Sequence, residues 1–372
     1  MSKSYVRKLF RYRKIYELGK TDDLFIKSMR ENAIHHYENC GDYKRILDLA
    51  QYNPYEMKTM EDVVKLPFLP TLYFKHNELY SKPSWQLPMK ATSSGTSTGF
   101  RSRIAMSFGD LWRGWQMVRR IFSYHKLWSI RPVVYLIFGY QPTKHSEAGI
   151  MKTAHAFTYI APAKKRVYAI KWTNNGYQVD LESMKQALIK ASKGKTPIRT
   201  IGFPAYTYFL LKEMAAEGIH LSMPKGSKIT VGGGWKQFYA ESVDKKEFYR
   251  LVKEVLGIDE VDCVEFFGAV EHPILYTDCH KHHFHIPVHS RVFIRDPDTF
   301  QPVENGQVGL INLVTPMIEG TPLLSVMTDD LGILHNQCGC GATTPWLEII
   351  GRVGIKDITT CAQGADTILK ES

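Results

Sequence analysis

The stretch KITVGGGWKQFYAESVDKKEFYRLVKEVLGIDEVDCVEFFG, Lys228 to Gly268, decides the fold. Lys228 to Val231 reads as a short strand that runs into Gly232-Gly233-Gly234. Phe248, Leu251, Val252, Val255 and Leu256 then recur at three- and four-residue spacing, the pattern of a helix with one apolar side. Gly257 closes that helix, because glycine accepts the left-handed conformation in which helices end. Val261 to Phe267 follows as a second strand. Strand, helix and strand in succession form the repeating unit of a parallel α/β sheet.

The pattern extends outward in both directions. Towards the N-terminus, Ala205 to Ala216 reads as a helix stopping near Gly218, and Thr196 to Ile201 as a strand. Leu181, Met184, Leu188 and Ile189 form one helix face, and Val133 to Phe138 is an apolar run of buried-strand type. Before about Arg120 the chain reads as mostly helical, with Leu24, Phe25, Met29, Ala33 and His36 at helical spacing. Beyond Cys279 the texture is β: Arg291 to Arg295 and Val308 to Val314 alternate, and Asn305-Gly306 between them is hairpin-turn chemistry. The expectation is an α/β fold with mixed or parallel sheets, a helical N-terminal segment and a β-rich C-terminal part. A chain of 372 residues suits one large domain or two.

Composition narrows the function classes. An apolar content of 44% fits a globular protein. Met1 to Lys14 places lysines and arginines before any long apolar stretch, unlike a secretory signal, and no apolar run is long enough to span a bilayer. No transmembrane segment and a cytoplasmic location are therefore expected. The net charge of +11 is distributed among acidic residues instead of forming long blocks, which speaks against a nucleic-acid partner. Local basic clusters at Arg7, Lys8, Arg11, Arg13 and Lys14, and at Lys164, Lys165 and Arg166, are either solvated faces or docking points for an acidic protein or an anionic substrate. Six cysteines, two of them in Cys338-Gly339-Cys340, suit thiols and metal ligands better than a disulfide framework.

Four segments carry the chemistry. Ala91-Thr92-Ser93-Ser94-Gly95-Thr96-Ser97-Thr98-Gly99-Phe100-Arg101-Ser102-Arg103 is either a flexible linker or a cradle for a polyphosphate. In the second reading glycines admit the anion close to backbone N–H groups, hydroxyls donate to it, and Arg101 and Arg103 supply the countercharge. Three more segments fall where strands should stop, the usual ligand position in α/β sheets. Val231-Gly232-Gly233-Gly234-Trp235-Lys236 offers bare backbone to a flat ring. Phe266-Phe267-Gly268-Ala269-Val270-Glu271-His272 places a carboxylate after a strand and a tight turn, and Met327-Thr328-Asp329-Asp330-Leu331-Gly332 places two after a strand.

In this order, together with Gly351-Arg352, these segments resemble the core motifs of the adenylate-forming enzymes, and most closely the acyl-protein synthetases of the LuxE type. Leu66-Pro67-Phe68-Leu69-Pro70-Thr71 with Phe74-Lys75, the Gly-Gly-Gly-Trp-Lys turn and the cysteine-rich segment before Gly351 add to the resemblance, which runs from about His35 to the C-terminus. It implies attack of a fatty-acid carboxylate on the α-phosphorus of ATP, giving acyl-AMP and pyrophosphate, and then capture by a protein thiol. It implies that Ser93, Ser94, Gly95, Thr96, Ser97, Thr98 and Gly99 hold phosphates, with Arg101 and Arg103 neutralising the leaving pyrophosphate. It also implies that Gly232, Gly233 and Gly234 face adenine, Glu271 ligates Mg²⁺, Asp330 accepts ribose hydroxyls, and Arg352 reaches ribose or phosphate. Residues 1–352 would form the AMP-binding domain. The separate C-terminal ligase domain of larger relatives is expected to be missing, and the tail 353–372 would carry Cys361 as the acyl-accepting thiol.

Cys279-His280-Lys281-His282-His283-Phe284-His285 and Cys338-Gly339-Cys340 are either a solvated histidine-rich turn with two free thiols or the ligand types of a structural zinc site. The resemblance to enzymes of the phenylacetate-ligase type implies the second, with Cys279, His285, Cys338 and Cys340 as the candidate set and His280, His282 or His283 as replacements for His285. Gly202 to Phe209 with Trp235 offers aromatic walls for an acid, or simply core. Two other functions fit the same residues. One is a ligase that passes an aryl or short-chain acid to coenzyme A, and the other a basic, zinc-stabilised binding module without catalysis. The expected partners are a fatty acid or other carboxylic acid and an acyl-acceptor or reductase protein.

Overall fold

The computed structural model describes residues 4–92, 102–143, 154–174, 176–235 and 242–352. The chain divides into two compact units. One unit contains 1–120, 268–276 and 283–372; the other contains 121–267 and 277–282. Among the described residues no helix is long and apolar enough to cross a membrane.

The second unit holds the parallel sheet that the glycine-rich stretch announced. Strand β4 (Val133–Tyr140) lies parallel to β5 (Ala163–Thr173) on one side and to β7 (Ile198–Gly202) on the other, and β6 (Gly176–Val179) closes the edge antiparallel to β5. A parallel bridge from Arg199 to Lys228 sets β7 beside β8 (Ile229–Gly232), which pairs in parallel with β9 (Cys263–Ala269). The connecting helices are Leu181–Ser192, Pro204–Ala216 and Lys245–Leu256. Leu251, Val252, Val255 and Leu256 are buried and Gly257 has φ 67°, as the sequence spacing required. The strand expected from Val261 begins instead at Cys263, because Glu260–Asp262 form a single 3-10 turn.

The first unit is helical at its N-terminus and antiparallel at its C-terminus. Helices Tyr5–Phe10, Asp22–Asn39, Gly41–Leu49 and Phe108–Tyr124 dominate the beginning. The mostly helical reading of that region misses three short strands. They are β1 (Leu69–Pro70), β2 (Met89–Thr92) and β3 (Arg103–Met106), the last two forming an antiparallel pair. The C-terminal sheet runs β12 (Arg291–Arg295), β13 (Val308–Val314), β14 (Ser325–His335), β15 (Trp346–Arg352), β11 (Phe284–His285) and β10 (His272–Asp278). Strands β12 and β13 have the limits read from the sequence, with Gly306 at φ 95° in the connection.

A buried ionic cluster ties the helical part to the sheet. Asp110, fully buried on helix Phe108–Tyr124, pairs with Arg113 and accepts the amides of Glu319 at 2.8 Å and Gly320 at 3.1 Å. Arg113 in turn meets the Glu319 carboxylate at 2.8 Å, and Lys82 meets it at 2.7 Å. Burial alone would raise the Glu319 pKa, but Arg113 and Lys82 outweigh it and hold the carboxyl down to about 2.

Candidate functional site

Strand β14 changes partners along its length. Leu69 and Pro70 of β1 lie in parallel beside Val326 and Met327, whereas β15 takes over only from Asp330 onward. On the other edge, β13 pairs Leu310 with Leu331 and Asn312 with Met327, so Thr328, Asp329 and Asp330 oppose the single residue Ile311. Such a bulge bends the strand and re-aims its side chains. The Thr328 hydroxyl donates to the Ile311 carbonyl at 3.1 Å and accepts the Asp330 amide at 3.2 Å. The two carboxylates therefore leave the sheet within a strand, and the expectation that they follow a strand end is corrected.

The ends of β1 and β15 converge on Asp329. The Thr71 hydroxyl reaches its Oδ2 at 3.3 Å, and Arg352, the last described residue, reaches the same oxygen at 3.4 Å. Asp330, directly across from Arg352 in the β14–β15 register, has its pKa raised by burial, partly opposed by the guanidinium and reinforced by Asp329. The site can thus offer a carboxylate acceptor beside a cation. In the same unit, Glu271 sits on the two-residue turn between β9 and β10 and is only 6% exposed.

The glycine turn of the second unit has its own cause. A Cβ on Gly232 would stand 2.9 Å from the Phe266 carbonyl oxygen and 3.1 Å from its Cβ, so glycine is required there by the approach of β9. Gly233 and Gly234 follow at φ 83° and 67°, conformations that favour glycine. Trp235 then packs edge-on against Tyr208 (5.7 Å) and Phe209 (6.4 Å) of helix Pro204–Ala216. Tyr208 belongs to the apolar core of this unit, while Tyr206, Phe209 and Trp235 rest on it half-buried. Lys236 lies outside the described residues.

The hydroxyl-rich loop links β2 to β3, and Thr92 pairs with Arg103 at its base. Ser93, Ser94, Gly95, Thr96, Ser97, Thr98, Gly99 and Arg101 lie outside the described residues, as does Cys361. Arg103 meets the Glu78 carboxylate at 2.5 Å on an exposed surface.

Of the metal-ligand candidates, His285, Cys338 and Cys340 belong to the first unit and Cys279 to the second. Within the first unit Cys340 Sγ is 3.1 Å from His285 Nε2, and Cys338 stands two residues before Cys340. The supporting groups fit as well. His285 Nδ1 faces the Thr344 carbonyl at 3.1 Å, an acceptor that keeps the proton on Nδ1 and leaves the Nε2 lone pair for a metal. The Lys281 amide donates to Cys279 Sγ at 3.3 Å. Burial holds the His285 pKa down, favouring the neutral ring that ligates. His282 is engaged elsewhere, bonded to Asp278 at 2.8 Å and Glu260 at 2.9 Å, and His283 stacks on Trp346 at 3.7 Å, so neither replaces His285. Thr71 and Thr344 are the positions whose roles the sequence did not disclose. Thr71 had a signal in the Leu-Pro-Thr that closes a short strand, whereas Thr344 had none.

With this geometry the structure can be set beside known ones. It superimposes on an open conformation of 2-hydroxyisobutyryl-CoA ligase, solved with 2-HIB-AMP and CoA, with a TM-score of 0.69 over 93% of this chain and 78% of the other at 15% identity. The postadenylation state of the same ligase gives 0.67 over 92% and 70%, again at 15% identity. The fold is that of the adenylate-forming ligases. Within that class the family model for acyl-protein synthetase, LuxE, matches residues 15–369, and the chain belongs to this family. It is similar to the long-chain-fatty-acid–luciferin-component ligases of Aliivibrio fischeri (25% identity over 83% of this chain and 78% of the relative) and Vibrio harveyi (26% over 88% and 83%). A phenylacetate-coenzyme A ligase of Thermus thermophilus is 22% identical over 82% of this chain and 64% of its own.

Proposed function

We propose that the chain is an ATP-dependent acyl-protein synthetase that activates a long-chain fatty acid. The carboxylate attacks the α-phosphorus of ATP, a P–O bond to pyrophosphate breaks, and acyl-AMP forms. A protein thiolate then attacks the acyl carbonyl and AMP departs, leaving a thioester. The observation that carries this reading is the family match, whose span takes in both the Asp329–Asp330 bulge and Cys361. Asp330 would accept ribose hydroxyls, Arg352 would reach ribose or phosphate, and Gly232 to Gly234 would present flat backbone to adenine. Glu271 would hold a Mg²⁺, which would supply charge neutralisation for the phosphates. Ser93 to Gly99 would hold the phosphates, and Arg101 would offset charge on the departing pyrophosphate. Cys361 would take the acyl group and hand it to an acceptor or reductase protein.

The metal-ligand residues support a structural zinc held by Cys279, His285, Cys338 and Cys340, which would fasten β11 to the turn before β15. Stoichiometric zinc in the purified protein, lost in Cys340→Ser, is the expected result; metal-free wild-type protein removes this part of the proposal.

ATP–pyrophosphate exchange measured with a panel of acids, from aryl acids to long-chain fatty acids, tests the central reading. Exchange should rise with chain length, because each further buried methylene contributes about 0.8 kcal/mol. Cys361→Ser should keep exchange and lose hydroxylamine-labile acyl label. The similarity to coenzyme A ligases favours one alternative, delivery of the acid to coenzyme A, which free acyl-CoA among the products would reveal.

A further inference from the structure

Helix Tyr5–Phe10 and residues 108–120 of helix Phe108–Tyr124, both in the first unit, share a surface that the proposed catalysis does not use. Phe108, Trp112, Trp115 and Arg119 follow one another at four, three and four residues, the spacing of one helical stripe. Asp110, Arg113 and Met117 are buried on another side of the same helix. Phe108 is 69% exposed and Trp115 57%. Arg7 and Arg11 lie over the Trp112 ring at 5.5 and 5.4 Å, Lys8 over Tyr5 at 5.0 Å, and Arg119 over Trp115 at 5.3 Å. Arg120 fastens the two segments by donating to the carbonyls of Phe10 and Arg11.

Within the two segments themselves the exposed charge is positive. The only carboxylate in residues 4–11 and 108–120 is Asp110, which is buried and paired with Arg113. Glu31, which accepts the Tyr5 amide at 2.6 Å, meets the surface at its N-terminal edge. Bulky aromatics standing out from a convex helix need a matching pocket in a protein partner of fixed shape. A bilayer interface takes them at headgroup level without one, and anionic headgroups complement the cations.

We propose that this face binds the surface of a membrane containing anionic lipid. Binding itself stands apart from the catalytic reading. Its usefulness rests on that reading, because a long-chain fatty acid partitions into bilayers and would be collected there.

The test is flotation of the full chain with vesicles of phosphatidylcholine alone and of phosphatidylcholine mixed with phosphatidylglycerol, without ATP or acid. The protein should float with the anionic vesicles, and salt should weaken the association. Arg7→Gln, Lys8→Gln and Arg11→Gln together should lower binding roughly a hundredfold, at about fivefold per charge. Phe108→Ser with Trp115→Ser should lower it at least about tenfold. Unchanged thermal unfolding identifies the variants that are folded, and the single change Lys8→Gln keeps the test available if a multiple variant is not. Wild-type protein that ignores anionic vesicles at low salt, or floats equally with both kinds, overturns the proposal. So do folded variants that bind like wild type, and so does binding of polyglutamate or nucleic acid through these residues in place of vesicles. Vesicle binding without acid-dependent exchange would leave this proposal standing and sink the catalytic one.

Discussion

The two units bring functional groups out of a sheet by different devices. In the parallel unit β8 ends, and three glycines carry the backbone away beside the Phe266 carbonyl. In the antiparallel unit the strand that carries Asp329 and Asp330 does not end there. Strand β14 continues to His335, and the carboxylates emerge because three residues face one on β13 while the partner on the other edge changes from β1 to β15. A parallel sheet has strand ends on which loops collect, whereas an antiparallel one has to interrupt a ladder to free a polar side chain inside it.

The units also differ in the polar groups they bury, and acid should expose that difference most strongly. In the first unit His36, His272 and His289 are buried and burial lowers each pKa to about 3; in the second, burial lowers His125 to about 4. These rings stay neutral in the folded chain and take up protons on unfolding. Their contribution to stability is therefore complete above about pH 6.5 and is lost as the pH falls towards the folded values, at about 1.4 kcal/mol per pH unit for each histidine. Stability followed between pH 7 and 4 should fall more steeply for the antiparallel unit, read by hydrogen exchange in β12 to β14, than for β4 and β7. A parallel unit that opens first on acidification would contradict the assignment.

If the bulge is the functional device, Asp330→Asn gives the largest effect on catalysis. Acid-dependent ATP–pyrophosphate exchange should fall at least about a hundredfold, on the order of 3 kcal/mol of lost transition-state binding, with thermal unfolding almost unchanged. Exchange that survives in a folded Asp330→Asn protein would reduce the bulge to architecture.

Glycine replacements sharpen the contrast. A Cβ on Gly332, two residues beyond the bulge, would meet the Glu348 carbonyl at 2.6 Å and Ile311 Cδ1 at 2.8 Å; on Gly232 it would meet the Phe266 carbonyl at 2.9 Å. Each Gly→Ala variant should lose roughly 1–3 kcal/mol in denaturant titration. Gly332→Ala should lose the more, since it is squeezed from two strands. Equal and negligible losses would mean that both sheets yield more easily than their spacing implies.

These devices differed in how far they could be read in advance. The parallel unit was legible because helical periodicity and a closing glycine are local signals: Phe248 to Gly257 marked one helix, and two strands flanked it. The bulge was invisible, since the pairing of Leu310 with Leu331 and Asn312 with Met327 depends on a partner strand that local spacing does not register. The candidate metal ligands were legible as residue types and named as one set, whereas the orientation of His285, which depends on Thr344, was not. The small pair β2–β3 escaped notice because each strand has four residues and the loop between them dominates the composition.

The smallest effect is expected at the base of the hydroxyl-rich loop. Arg103 is two-thirds exposed and its partner Glu78 less so, and a pair in that setting contributes under about 1 kcal/mol. Arg103→Gln should therefore leave denaturant midpoints nearly where they are. Glu78 is held below the usual carboxylate range first by the Tyr80 hydroxyl and only then by Arg103, so its ionisation survives the change. The informative reading is kinetic. If Arg103 releases Glu78 to meet phosphate, the variant should raise the KM for ATP severalfold while the KM for the acid stays constant. A variant with both constants unchanged would leave Arg103 as a surface partner of Glu78, and the countercharge for the leaving group would fall to Arg101 alone.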